Sequence, residues 1–260
     1  MNNLILSTWS KLSSIRKYVC KEWFTFVLYH RIKPESFKKH LEYYKNHYRI
    51  SELELLRAFY EDKASLPRNP LFITFDDGWK SSYDLLPIIE DMNIPITVFL
   101  TTGLIGTNKK SIPISNYSKD KTLIIDDTSP TESYRTMLSL EEIKEMRKLV
   151  NFQSHGVNHH LSTKITSYQL ESELIESRKI IEKITGKPVY AFAYPYNRAS
   201  EKEAKIVESC GYTLARRGGR MMNKLGTYQF LINSIGIEEH CSLKNLQNKM
   251  LRAEIKTMLQ

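Results

Sequence analysis

The chain has 260 residues, 41% of them hydrophobic, enough to bury the core of one large α/β domain or two small ones, and this excludes disorder as the default. Its 38 basic and 29 acidic residues give a formal net charge of +9, which suits an anionic partner such as lipid headgroups, an acidic glycan or nucleic acid without choosing among them. Cys20, Cys210 and Cys241 are widely spaced, odd in number and form no CxxC pair, so a reducing compartment fits best.

In chain order, residues 1–24 come first. Trp9, Leu12, Ile15, Val19 and Trp23 alternate with Lys11, Arg16, Lys17 and Lys21 in an amphipathic pattern that packs on the domain or lies on a membrane surface. The segment lacks the long apolar core and small-residue cleavage site of a signal peptide, and no stretch approaches the roughly 20 apolar residues of a spanning helix. The expectation is a cytoplasmic protein, at the inner membrane face if the basic N-terminus makes peripheral contact.

The domain proper is expected over 25–260. "TFVLYH" (25–30) reads as a strand, and helices are expected over 36–47 and, behind a capping box from Ser51 to Glu54, over 52–61. Leu71 to Phe75 is a buried strand, 82–92 an apolar-periodic helix and 94–100 another strand. The polar stretch from about 106 to 136 reads as a long loop over one face. A capping box from Ser139 to Glu142 opens a helix to about Leu149, "VNFQSH" follows as a strand, and a second box from Thr166 to Gln169 opens a long helix that stops near "TGK" (185–187). A strand at 189–194, a helix near 199–210, a turn at Gly211, strands at "YTLA" and 231–237 and a closing helix complete the chain.

Strand and helix alternation on this scale implies a parallel α/β architecture, a barrel or a doubly wound sheet. The conspicuous polar residues fall just after strands, in "YHR", "DDG", "SHGVNHH" and "YPYN", and this favours a single-domain distorted (β/α) barrel whose active site gathers at the carboxyl ends of its strands.

His155 and His159, four apart in "SHGVNHH", face one side if the segment makes a helical turn, a spacing that can hold a metal, with His160 as the reserve for the second position. Position 156 is Gly, so the glutamate of an HExxH metalloprotease is missing and a carboxylate must come from elsewhere. "FDDG" offers two: Asp76 and Asp77 reach one cavity if Gly78 lets the chain bend after the strand. One would join the histidines on a catalytic zinc with open positions, and the other would take a proton from the attacking water. In "AFAYPYN" Pro195 stiffens the loop, the Tyr196 amide can face developing negative charge on a carbonyl oxygen, and tyrosines such as Tyr194 offer faces for sugar rings.

With these residues assembled, the chain resembles the polysaccharide deacetylase family, the NodB homology group of carbohydrate esterases, over roughly 25–240. "ITFDDG" (73–78) is similar to its first motif, "SHGVNHH" to its histidine motif and "FAYPYN" to its proline and tyrosine motif, while "VLYHRI" (27–32) resembles the opening of the surface and exopolysaccharide branch. The resemblance implies a distorted barrel of about seven strands and a divalent metal, usually zinc. It implies Asp76 as general base, Asp77, His155 and His159 as ligands, and the Tyr196 backbone at the oxyanion, with Pro195, Tyr194 and His30 toward the substrate. The reaction implied is removal of an N-acetyl group from an amino sugar in a bacterial glycan or lipid-linked precursor.

Two departures stand out. Ala193 occupies a position where many members carry Arg, with Asn197 in place of the usual Gly, and the late Leu-x-His motif that supplies a general acid is not evident, leaving His240 and His30 as candidates. A catalytically silent glycan-binding protein on the same fold is the alternative reading. With no helix-turn-helix, zinc-finger or aromatic-platform pattern, no nucleic-acid partner is expected.

Overall fold

A computed structural model of the chain describes residues 22–107, 109–111, 124–126 and 137–260. The amphipathic reading of the N-terminus therefore lies outside the described residues up to position 21, as does most of the expected 106–136 loop. Within that stretch Lys109–Ser111 and Ile124–Asp126 pair as an antiparallel ribbon.

Seven parallel strands close a barrel: β1 (Trp23–Tyr29), β2 (Pro70–Phe75), β3 (Ile96–Leu100), β4 (Val150–Ser154), β5 (Ala191–Ala193), β6 (Leu214–Gly218) and β7 (Ile232–Ile237). Each pairs with the next, and β7 pairs with β1 through Val27 opposite Ile235. Arg49–Ile50 adds to the start of β2 and Asn223–Lys224 runs antiparallel to the start of β1. That second pairing engages Trp23 and Phe24.

Helices α1 (Pro34–His47), α2 (Leu53–Tyr60), α3 (Leu86–Met92), α4 (Leu140–Met146), α5 (Ser167–Thr185), α6 (Glu201–Ser209) and α7 (Leu243–Met258) surround the strands. None among the described residues is long and apolar enough to cross a membrane. The capping boxes at Ser139 and Thr166 form as expected, and Gly186 ends α5 in the left-handed region at φ +70°. The box expected at Ser51 does not form: Glu52 is the N-cap, the Ser51 hydroxyl donates to the Arg49 carbonyl, and Glu54 pairs with Arg57. The expected helix over 82–92 begins as a tight 3₁₀ segment, Lys80–Leu85, and becomes α-helical only at Leu86, where Pro87 fits the first turn because its missing N–H needs no partner there.

Strand residues alternate between two apolar layers, as the period of two demands. Val27, Tyr29, Ile73, Phe75, Val98, Phe152 and Ile235 face the helices, while Phe24, Phe26, Phe72, Phe99, Ala191, Leu214 and Ile232 form a second buried cluster inside the barrel. Leu53 and Leu56 of α2 join the inner cluster and close the amino end. Toward the carboxyl end the inward parity continues through Thr74 to Asp76, from Gln153 to His155, from Leu214 to Arg216 and from Ile232 to Ser234, all buried. The barrel thus changes from an apolar plug to a polar layer along one axis.

Candidate metal centre and active site

The "DDG" turn follows β2 directly. Asp76, the first residue after the strand, keeps its ladder pairing, its N–H donating to the Tyr29 carbonyl, and its side chain points inward. The chain then turns sharply: Asp77 lies at φ +71° and Gly78 at φ +86°, both in the left-handed region. A Cβ at Gly78 would sit 2.7 Å from Leu100 Cδ2, so glycine is required by conformation and by space together. The expected bend is present, with the unusual backbone shared by Asp77 itself.

The turn brings Asp77 Oδ1 to 3.4 Å from His155 Nε2 and 3.2 Å from His159 Nε2. Donor atoms of these three buried residues all lie within 4.8 Å of one another. Asp77 Oδ2 accepts a hydrogen bond from Trp79 Nε1 at 3.0 Å, which fixes the carboxylate plane. His155 Nδ1 donates to the Ala193 carbonyl at 2.7 Å, leaving Nε2 with its lone pair toward the cluster. Burial raises the Asp77 carboxyl, and the imidazoles of His159 and His155, with His30 farther off, more than reverse it, holding it well below the usual carboxylate range.

The histidines do not meet through a helical turn. Gly156 at φ +81° and His159 at φ +57° bend the segment as a loop, and the four-residue spacing closes through two left-handed positions. His160 turns away from Asp77, with Nδ1 at 3.4 Å from Glu173 Oε1, so it is not placed as the reserve ligand.

The donor set fits a divalent metal. Asp77 Oδ1 is buried without a hydrogen-bond partner, and two imidazole nitrogens, His155 Nε2 and His159 Nε2, converge on it. Two His and one carboxylate with further positions open is the donor chemistry of a catalytic zinc site.

Asp76 lies beside this cluster, Oδ2 at 3.9 Å from His155 Nε2. Its other oxygen is held by Arg216 Nη2, a fully buried guanidinium that also donates to Asn197 Oδ1 at 2.9 Å and Ser234 Oγ at 3.1 Å. Arg216 was not anticipated from the sequence. It stands in register with Ala193 on the neighbouring strand, so the cation missing from position 193 is delivered from β6. The available signal was an arginine at an inward, apolar-flanked position of "TLARRG".

The third motif follows β5 as a 3₁₀ turn, Pro195–Asn197, with Tyr196 at φ +59° and Asn197 at φ +58°. The Tyr196 ring packs edge-on against His159, centroids 4.6 Å apart. Pro195 is buried at the start of this turn, where its ring fixes the backbone. Tyr194 is also buried, its hydroxyl donating to the Phe230 carbonyl, so it has no face to offer a sugar ring, contrary to expectation. His30 is exposed just after β1 at the same rim, and His240 is exposed in the turn after β7. Of the cysteines, Cys210 and Cys241 are free thiols and Cys20 lies outside the described residues.

Residues 63–215 match the family model for polysaccharide deacetylase, and the chain belongs to that family. The Bacillus subtilis (strain 168) protein YxkH is 23% identical over 188 residues, covering 71% of this chain and 57% of that protein. The poly-β-1,6-N-acetyl-D-glucosamine N-deacetylase of Staphylococcus aureus is 25% identical over 193 residues, covering 69% of this chain and 58% of the relative. The chain thus spans less than two thirds of the length of either curated relative. Streptococcus pyogenes deacetylase PplD in complex with acetate superposes with a TM-score of 0.69 at 20% identity, over 88% of this chain and 98% of that one. A de-N-acetylase from Aggregatibacter actinomycetemcomitans gives 0.69 at 17%, over 88% and 100%. At these identities the structural likeness establishes the fold.

Proposed function

We propose that this protein is a divalent-metal-dependent hydrolase, with zinc the first candidate, that removes the N-acetyl group from an amino sugar of a bacterial glycan or its lipid-linked precursor. The observation that carries the reading is the convergence of Asp77, His155 and His159 on one point with Asp76, a second carboxylate, beside them. The metal, when bound, would polarise the acetyl carbonyl and acidify a water.

Asp76 then has the general-base role. It is oriented by Arg216 and sits on the cluster's inner side, so it can take a proton from the water as that water attacks the carbonyl carbon. The rigid turn at Pro195–Asn197 supports the Tyr196 backbone as the group that meets the developing oxyanion. The departing nitrogen needs a proton before it leaves. His30 is the candidate donor: it stands exposed at the rim after β1. The products are acetate and a free amine on the sugar.

Family membership and the name of the Staphylococcus aureus relative support an N-acetylglucosamine polymer as the first substrate to try. The test is acetate release from N-acetylglucosamine oligomers by zinc-loaded protein, with Asp76→Asn alongside. Release that is abolished in the variant supports the proposal. Glycan binding without release by either protein would favour the silent glycan-binding alternative.

A further inference from the structure

The loop that carries both histidine ligands is gripped from α5 by a residue outside every motif. Glu173, buried on that helix, accepts hydrogen bonds at Oε2 from the Val157 N–H at 2.7 Å and the Asn158 N–H at 2.9 Å. Its Oε1 accepts from Asn158 Nδ2 at 2.7 Å and lies 3.4 Å from His160 Nδ1. Val157 and Asn158 stand between His155 and His159, so one carboxylate holds the backbone that sets the spacing of the two ligands.

From Glu173, together with the opposite face of the same loop, we infer that this side chain is a positioning residue for the metal centre: it fixes the 155–159 loop in the conformation that points both imidazoles at Asp77. The inference rests on the metal-centre reading above.

Three further observations make the grip specific. The loop is bracketed by Gly156 at φ +81° and His159 at φ +57°, and a left-handed histidine persists only where its surroundings impose it. A Cβ at position 156 would lie 2.8 Å from Glu173 Oε2, so glycine is what lets the carboxylate approach. On the other face Thr102 N–H donates to the Gly156 carbonyl at 3.0 Å and Gly103 N–H to the Val157 carbonyl at 2.9 Å. The loop's carbonyls are thus held from one side and its N–H groups from the other. Without Glu173, two part-buried N–H groups lose their acceptor and the left-handed histidine loses its enforcement.

The experiment is a zinc titration against a competing chromophoric chelator, with the visible spectrum of the Co²⁺ form as a geometric readout. It uses wild-type protein, Glu173→Ala, Glu173→Gln and Asn158→Asp. Glu173→Ala is expected to weaken zinc binding by about 10- to 100-fold and to alter the Co²⁺ spectrum. Glu173→Gln keeps an acceptor oxygen for the two backbone N–H groups and should recover most of the affinity. Asn158→Asp, at an exposed position, places a second carboxylate against Glu173 and should weaken zinc as well, with thermal unfolding of each variant separating loss of the site from loss of the fold. Wild-type affinity and spectrum in both Glu173→Ala and Asn158→Asp would overturn the inference, as would equal losses in Glu173→Gln and Glu173→Ala. Wild-type protein that binds no zinc would instead remove the metal reading and this inference together.

Discussion

Arg216 holds Asp76 from the strand next to the one that carries Ala193, its register partner. Through Nη1 and Nη2 the guanidinium joins Asp76, Asn197 and Ser234, which sit after β2, in the turn after β5 and on β7. A carboxylate in the barrel interior is thereby paired and aimed, and the small Ala193 side chain beside it leaves the interior free for the longer one.

Arg216→Lys should lower kcat by roughly 100-fold while zinc content stays at the wild-type level, because one ammonium cannot reproduce a planar fork that serves three acceptors. Arg216→Met should also destabilise the fold by about 3–5 kcal/mol, since it strands the buried Asp76 charge, and Asp76→Asn in that background should restore part of the loss. Steady-state kinetics, metal analysis and denaturant unfolding of the four proteins check this. Full activity in Arg216→Lys would show that Asp76 needs no such orientation.

Gly103→Ala should loosen metal binding with only a modest change in overall stability. A Cβ there would lie 2.6 Å from the Val157 carbonyl oxygen, a backbone atom of the loop between the two histidines, so the collision is relieved only by moving that loop. Gly78→Ala is expected to act more broadly, adding about 1–2 kcal/mol of left-handed strain to a contact with Leu100. Zinc affinity and thermal unfolding of each variant separate the two effects.

Stability should fall as pH drops below the ordinary histidine range, and His40 should be a source of that fall. Its ring lies between α1 and the chain before α7, with Nδ1 3.0 Å from the Tyr29 hydroxyl and Nε2 2.9 Å from the Cys241 carbonyl. Burial lowers its pKa from the ordinary 6.5. The unfolded chain therefore binds the extra proton first, so the contribution is complete above 6.5 and is lost as pH falls toward the lower folded value. His40→Gln should flatten the stability profile in that window. An unchanged pH slope in the variant would count against the assignment.

Zinc should raise the unfolding midpoint of the wild-type protein, with the logarithm of free zinc above the dissociation constant, and should leave His155→Ala nearly unmoved. Saturation at about 100 times the dissociation constant corresponds to about 2.7 kcal/mol of added stability. Chelation with subsequent removal of the chelator should reverse the gain. Equal midpoints with and without zinc would speak against the Asp77, His155 and His159 site.

The barrel was legible because its strands are short apolar runs that each end in chemistry: "ITF" before Asp76, "NFQS" before His155 and "FA" before the proline turn. The ligand triad was legible for the same reason, since spacing and residue type survive in one dimension. What hid were relations across strands. Arg216 acquires its role only through the register that sets it beside Ala193, and Glu173 lies 18 positions after His155 on a helix whose periodicity reads as ordinary amphipathic surface. Tyr194 misled because an aromatic beside a motif proline looks like a rim residue, whereas strand parity buries it against Phe192 and Phe230. At Ser51 the expected cap lost to local competition, its hydroxyl being used by the Arg49 carbonyl.

The most direct test of the central claim is acetate release from N-acetylglucosamine oligomers by wild-type and Asp76→Asn protein carrying equal, measured amounts of zinc. The proposal predicts one zinc per chain in both and a loss of rate of roughly 10²- to 10⁴-fold in the variant, the range for removal of a general base. Equal rates at equal zinc content, or active wild-type protein with no bound metal, would contradict it.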